Sequence, residues 1–278
     1  PGWADALSAA VTALERDHAT RRQRAAEAIA ALLLDVLSMT EAAPTAEHGD
    51  DAALTTTLLE RLRARINRRE AAARRTVQSI YRHDTLPLTA EALTLIDEDI
   101  FSARSFDLFG LSNRQLLMAG AATGAAAGGV VDVAVGGTSL LFGAGLGALV
   151  GTVGAALGSK RLATVRVLGT RLGGYTLQVG PVSSPNLPWV ILGRALLHHR
   201  VVAERNHARR EAALVEVASD GHFAGHIEPA LRRRLAQSFR RVQTEAGLEP
   251  AARAALVADI AAALDAEMTT ADAPTGAP

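Results

Sequence analysis

The stretch GAGLGALVGTVGAALGSK, residues 143–160, combines glycines with a lysine, the residue types that cradle a nucleotide phosphate. That chemistry needs the order G-x-x-x-x-G-K-[ST], with the lysine on the phosphates and a hydroxyl holding magnesium. Here Gly158 is followed by Ser159 and only then by Lys160, and no β-branched strand leads in. The order excludes a phosphate loop of that kind. Other reactive types are equally out of pattern. GTSLLFG, residues 137–143, lacks the G-x-S-x-G elbow of a serine nucleophile. His222 and His226 have helical metal-ligand spacing, yet two glycines lie in that stretch and no carboxylate accompanies them. The acidic run Asp97 to Asp99 points its side chains in different directions on a helix, so a solvated face is expected rather than an acid–base pair. His198, His199 and His207 are expected on the polar face of an arginine-rich helix. No N-K-x-D guanine-reading motif is present, so a non-enzymatic chain without metal or nucleotide cofactor is expected.

What the glycines do have is spacing. Gly143, Gly147 and Gly151 recur every four residues, Gly154 and Gly158 repeat the interval, and Gly120, Gly124 and Gly128 do the same upstream. Glycines four apart strip one helical face of side chains, which lets a second helix approach closely. Two such faces predict two helices packed as a glycine zipper.

The intervening chain predicts a hairpin. Leu116 to Val135 is an apolar stretch of 20 residues, Gly136 to Ser139 reads as a turn, and Leu140 to Gly158 is a second stretch of 19. Each leg, at about 1.5 Å per residue, is roughly the thickness of a bilayer core. Alanine and glycine fill 11 positions of the first leg and 10 of the second, so insertion is marginal. The eight Leu, Val and Phe residues of the second leg contribute roughly −2 to −5 kcal/mol. Asp132, the only charge between residues 116 and 158, would cost on the order of 3 kcal/mol at mid-bilayer, relieved by its place near the turn. Arg114, Lys160, Arg161 and Arg166 all lie at the open end, which the positive-inside rule assigns to the cytoplasm.

The rest of the chain must position that hairpin. Its 278 residues suffice for one large or two modest domains. A formal net charge of zero argues against blanketing nucleic-acid phosphates, and the lack of cysteine excludes disulfides and thiolate metal sites. Apolar periodicity predicts a helix from Trp3 to about Thr40, with Leu7, Val11 and Leu14 continuing into Ile29, Leu32, Leu33, Val36 and Leu37. A loop over Glu41 to Asp50 follows, then a helix from Ala52 to about Asp84 and another, opened by Thr89, that reaches Gly110. ATVRVLG and GYTLQVGPV predict a β-hairpin, followed by a proline-rich linker. Pro188 opens a long helix to about Ser219. Glu228 to Ala246 carries Leu231, Leu235, Phe239 and Val242 on one face, with Arg232, Arg233, Arg234, Arg240 and Arg241 around the rest. Such a basic surface suits an anionic lipid layer or an acidic partner, or simply solvent. An alanine-rich helix from Pro250 and a disordered tail close the chain.

The expected fold is therefore mainly α: a helical bundle or stalk with a glycine-zipper helical hairpin and a small β-hairpin. Its divisions are an N-terminal helical region 1–110, the apolar hairpin 111–160, the β-hairpin and linker 161–187, a C-terminal helical region 188–270 and a tail 271–278.

The segments RRQRAAEAIAALLLDVLSMTE, the zipper followed by SKRL, RLGGYTLQVGP, and PWVILGRALLHHRVVAERNHARR cover most of the chain. Together they resemble the C-terminal region that follows the GTPase domain in bacterial Era-like GTPases, the DUF3482 region. The resemblance implies a G domain in cis, with GTP and magnesium bound there and not in this chain. Era itself ends in an RNA-binding KH domain with a G-x-x-G loop, which nothing here matches. The expected function is a non-catalytic effector region that associates with the cytoplasmic face of the inner membrane, peripherally or inserted. Membrane lipid, the G domain, and a further copy or membrane protein are its expected partners, and nucleic acid is not. A colicin-like pore-forming domain and a soluble helical interaction module are the alternatives.

Overall fold

The computed structural model describes residues 2–45, 52–81, 99–121, 161–167, 170–182, 184–203, 223–245 and 247–272. The chain is mainly helical. Its helices are α1 (Gly2–Ser38), α2 (Ala52–Ile80), α3 (Ala103–Phe109), α4 (Asn113–Ala121), α5 (Leu187–Ala203), α6 (Pro229–Thr244) and α7 (Pro250–Asp272), with a 3-10 turn at Phe223–His226. A small antiparallel sheet is formed by β1 (Glu41–Thr45), β2 (Arg161–Val167) and β3 (Thr170–Val179), in the order β1-β3-β2.

Helix α5 sits at the centre. Its sequence LPWVILGRALLHHRVVA is apolar around nearly the whole circumference, and a helix of that kind is stable only when covered on all sides. Leu187, Val190, Ile191, Leu192, Leu196 and Leu197 are fully buried. Asn186 starts the helix: its carbonyl accepts from Trp189 N at 3.0 Å and Val190 N at 3.1 Å, while Pro188 occupies the first turn, where no amide hydrogen is needed. The Asn186 side chain reaches across to the segment between α3 and α4, accepting from Leu111 N at 2.8 Å and donating to Leu111 O at 3.1 Å. Gly193 completes that junction. A Cβ there would lie 2.7 Å from the Phe109 carbonyl, so only glycine lets α5 approach the end of α3 so closely.

Around α5 the amphipathic helices bury one face each. α1 contributes Ala25, Ile29, Leu32, Leu33, Val36 and Leu37, and α2 contributes Leu58, Leu62, Ile66 and Val77. From α6 come Leu231, Leu235, Phe239 and Val242, as their spacing predicts. α7 adds Leu256, Ile260 and Leu264 and is tied to α1 by Arg22 Nε to Asp265 Oδ1 at 2.6 Å.

Several expectations are corrected. The loop expected over Glu41 to Asp50 begins with strand β1, and its remaining residues lie outside those described. EAAPT has little β propensity of its own; the strand exists because it pairs with β3, Ala43 opposite Leu177, as a sheet edge that can hold Pro44. The sheet thus has three strands rather than a two-stranded hairpin. Leu177 and Val179 of β3 point into the core. Gly180 ends β3 with φ of +81°, and a Cβ there would meet the Met39 carbonyl at 2.6 Å.

The helix expected to run unbroken from Thr89 to Gly110 is interrupted at Asp99–Phe101, where the chain turns before Ser102 caps α3 by accepting from Ser105 N at 3.0 Å. Asp99 is no member of a solvated helix face. It pairs with Arg63, accepts from Phe101 N at 3.1 Å, and so anchors the turn to α2. The apolar stripe of α1 enters the core only from Ala25 onward; Trp3, Leu7, Val11 and Leu14 are exposed, Trp3 at 83%. Helix α7 continues to Asp272, two residues into the expected tail.

The apolar hairpin is described only at its start, where α4 runs to Ala121 and includes Gly120. Gly124, Gly128, Asp132, Gly143, Gly147, Gly151, Gly154, Gly158 and Lys160 lie outside the described residues, as do His207 and His222. No helix among the described residues is long and apolar enough to cross a membrane.

Candidate functional site

Two groupings of charged residues emerge from this architecture, one inside the fold and one on its surface. The inner one is a row of polar residues on α5: Arg194, His198, His199 and Arg200, each at most 5% exposed. The two histidines are therefore core residues, not the polar face expected, because α5 is enclosed by helices on every side.

Arg194 is held by a forked contact to Glu70 of α2, with Nε to Oε1 at 2.6 Å and Nη2 to Oε2 at 3.2 Å. Its Nη1 donates to Ser105 Oγ at 3.1 Å, Ser105 donates on to the Asp99 carbonyl at 2.9 Å, and the guanidinium lies 5.6 Å from the Phe109 ring centre. The planar fork matches a carboxylate in a way lysine would not. Farther along, Tyr81 Oη and His199 Nε2 are 2.7 Å apart, with the two rings edge to face. Arg200 lies 3.8 Å from Glu267 of α7.

Burial sets the charge state of the His199 pair. It is the larger of two causes, with the Arg22 cation the smaller, that together lower the His199 pKa from 6.5 to about 4. Burial raises Tyr81 to about 12, against a smaller opposing pull from Arg22 and Arg21. At neutral pH both rings are therefore neutral, and one hydrogen bond joins them. His199 Nδ1 has no hydrogen-bond partner among the described residues.

These facts fit a structural role. A histidine 1% exposed with a pKa near 4 is a poor base at neutral pH and offers no atom to a substrate. The pair also fixes a pH dependence. The unfolded chain takes up the imidazole proton near pH 6.5 and the folded chain only near pH 4. Between these values the unfolded state binds more protons, so stability is complete above pH 6.5 and is lost as pH falls through 4. Urea unfolding at pH 7 and pH 4.5 is expected to show a fall of which about 2–3 kcal/mol disappears in His199→Gln. An equal fall in the variant would contradict this assignment.

The outer grouping is on α6. Glu228 caps it, accepting from Ala230 N at 2.9 Å and Leu231 N at 3.0 Å; these bonds hold its carboxyl below the usual range. The five arginines expected there do not act alike. Arg234 pairs with Asp259 of α7 at 2.7 Å and Arg241 with Glu245 at 3.0 Å, while Arg240 is partly buried. Arg232 and Arg233 instead line a shallow cleft with Pro229 and with Met118 and Ala119 of α4. Neither is in an ion pair among the described residues. Arg114 lies one turn before Met118 on α4 and is exposed. Arg161 opens β2, opposite Thr176 of β3.

Glu70, Ser105 and Tyr81 had no signal in the sequence. They meet α5 across 124, 89 and 118 residues of chain, so no local spacing reveals them. The one hint was Arg194 itself, a charge set in an otherwise apolar run. Among the described residues no group of three or more potential ligands could hold a metal ion.

No curated protein and no solved structure matches the chain. A family profile does, that of a domain of unknown function, DUF3482, over residues 1–262. Since that match spans nearly the whole chain, the protein belongs to the DUF3482 family.

Proposed function

We propose that this chain is a non-catalytic, membrane-associating region of a GTP-binding protein, in which the apolar segment 116–158 enters lipid from the cytoplasmic side. The observation that carries the reading is the segment itself: 43 residues with Asp132 as the sole charge, and zipper glycines at intervals of four on both halves. Its described beginning supports this. Met118 on α4 is 62% exposed, whereas among the described residues the other exposed large apolar side chains are Trp3, Leu7, Val11 and Leu14 of α1. The buried polar row of α5 would then be scaffolding that holds α3 and α4 in place.

The link to a GTPase rests on the resemblance to the region that follows the G domain of Era-like proteins. A G domain in cis would bind GTP and magnesium and bias the membrane-bound state, which requires contacts that differ between two nucleotide states. Further copies or a membrane protein would be the partners of the inserted zipper.

Flotation with phosphatidylcholine vesicles in high salt tests the reading, because salt removes attraction between charges and leaves apolar insertion. The chain is expected to rise with the vesicles and to stay with them. If it remains at the bottom of the gradient, the membrane reading fails and a buried hairpin takes its place.

A further inference from the structure

We infer that Arg114, Arg232 and Arg233 form a binding site for the phosphate headgroups of anionic phospholipid, placed beside the first residues of the apolar segment. The inference rests on the membrane reading above and adds a specific ligand to it.

On α6, Arg234 and Arg241 spend their charge on Asp259 and Glu245. Arg232 and Arg233 have no carboxylate in ion-pair range among the described residues, and neither has Arg114 on α4. Arg232 and Arg233 both feel the attraction of Glu228, as does Arg234, but that carboxylate already accepts from two backbone amides. Arg232 and Arg233 therefore stand side by side on α6 without a carboxylate in ion-pair range among the described residues.

Their surroundings distinguish that place from an ordinary solvated face. Arg232 and Arg233 share a cleft with Met118, an exposed apolar side chain, and with Ala119. Arg114 and Met118 are four residues apart on α4, hence neighbours on its surface. From Met118 onward the chain continues into the apolar stretch without another charge until Asp132. Cations beside an apolar surface at the root of a hydrophobic segment match the layering of a bilayer, with phosphates above and acyl chains below. Guanidinium groups also bind phosphate in a forked geometry. A nucleic-acid phosphate track would extend along a basic stripe, whereas here the next arginines are neutralised and Met118 lies in the middle. The occupant is a lipid surface.

The test uses the whole chain and vesicles of phosphatidylcholine, with or without phosphatidylglycerol. Wild-type protein is expected to prefer the anionic vesicles, and the preference should vanish in high salt. Each arginine near the surface is worth roughly fivefold in affinity, so Arg232→Gln with Arg233→Gln should cut the preference about 25-fold and adding Arg114→Gln about 100-fold. Residual binding to pure phosphatidylcholine should be unaltered, which shows that the apolar segment still works and that the variant is folded. Arg234→Gln with Arg241→Gln, which removes the same charge from paired positions, should leave the preference nearly intact. An undiminished preference in the triple variant overturns the inference while the membrane reading stands. An equal loss in the paired-position variant overturns it too, since the effect is then net charge alone. Wild-type protein that binds neither vesicle overturns both.

Discussion

Arg194→Met is expected to lower the unfolding free energy by about 3–5 kcal/mol, among the largest effects of any single substitution in the folded body. The cause is what remains behind. Glu70 is 5% exposed and its two carboxyl oxygens are met by the Arg194 fork; without that cation a carboxylate is left in an apolar interior. The methionine also removes the donor that holds Ser105, and with it a tie between α5 and the turn at Asp99. Adding Glu70→Met should recover most of the loss, because a buried ion pair replaced by apolar groups of like volume is often close to neutral. Urea unfolding followed by circular dichroism measures all three proteins. A double variant no more stable than Arg194→Met alone would mean that the arginine acts through packing rather than through its charge.

A second prediction has a larger expected effect and concerns lipid. Leu146→Arg combined with Leu149→Arg places two cations in the middle of the second apolar leg. Each costs about 3 kcal/mol at the bilayer centre and removes a leucine that favoured insertion, a total of roughly 6–7 kcal/mol. That exceeds the roughly −2 to −5 kcal/mol available from the leg. Vesicle binding that survives high salt should be abolished, while the urea midpoint of the folded body should change little. Undiminished binding would place the lipid contact elsewhere on the protein.

The parts of the fold that the sequence revealed are those governed by local periodicity. The core face of α6 and the inner half of α1 follow from apolar residues three and four apart. What escaped it depends on distant partners. β1 is a strand only because β3 lies beside it, and EAAPT alone gives no reason to extend. His198 and His199 look like polar-face residues until the helices around α5 close over them. Asp99 reads as one of three acids until the chain turns and places it against Arg63. The outer half of the α1 stripe taught the converse, because periodicity identifies an apolar face without saying whether anything covers it.

The surface grouping was half legible. Five arginines around α6 could be counted, but which of them were neutralised depended on Asp259 and Glu245, and their neighbour Met118 comes from a helix more than a hundred residues away in sequence. Of the five, Arg232 and Arg233 are the two that stand beside Met118. In the proposed reading that patch and the segment 116–158 would form the end that meets lipid, while the α5 network ties α2, α3 and α7 together inside the fold.

The most direct test of the membrane reading is photolabelling of the whole chain on vesicles whose acyl chains carry a photoactivatable group, with the labelled residues mapped by mass spectrometry. The account predicts labels confined to residues 116–158, with none on α2, α5 or α7. Labels absent from that segment, or scattered over the folded body, would contradict it.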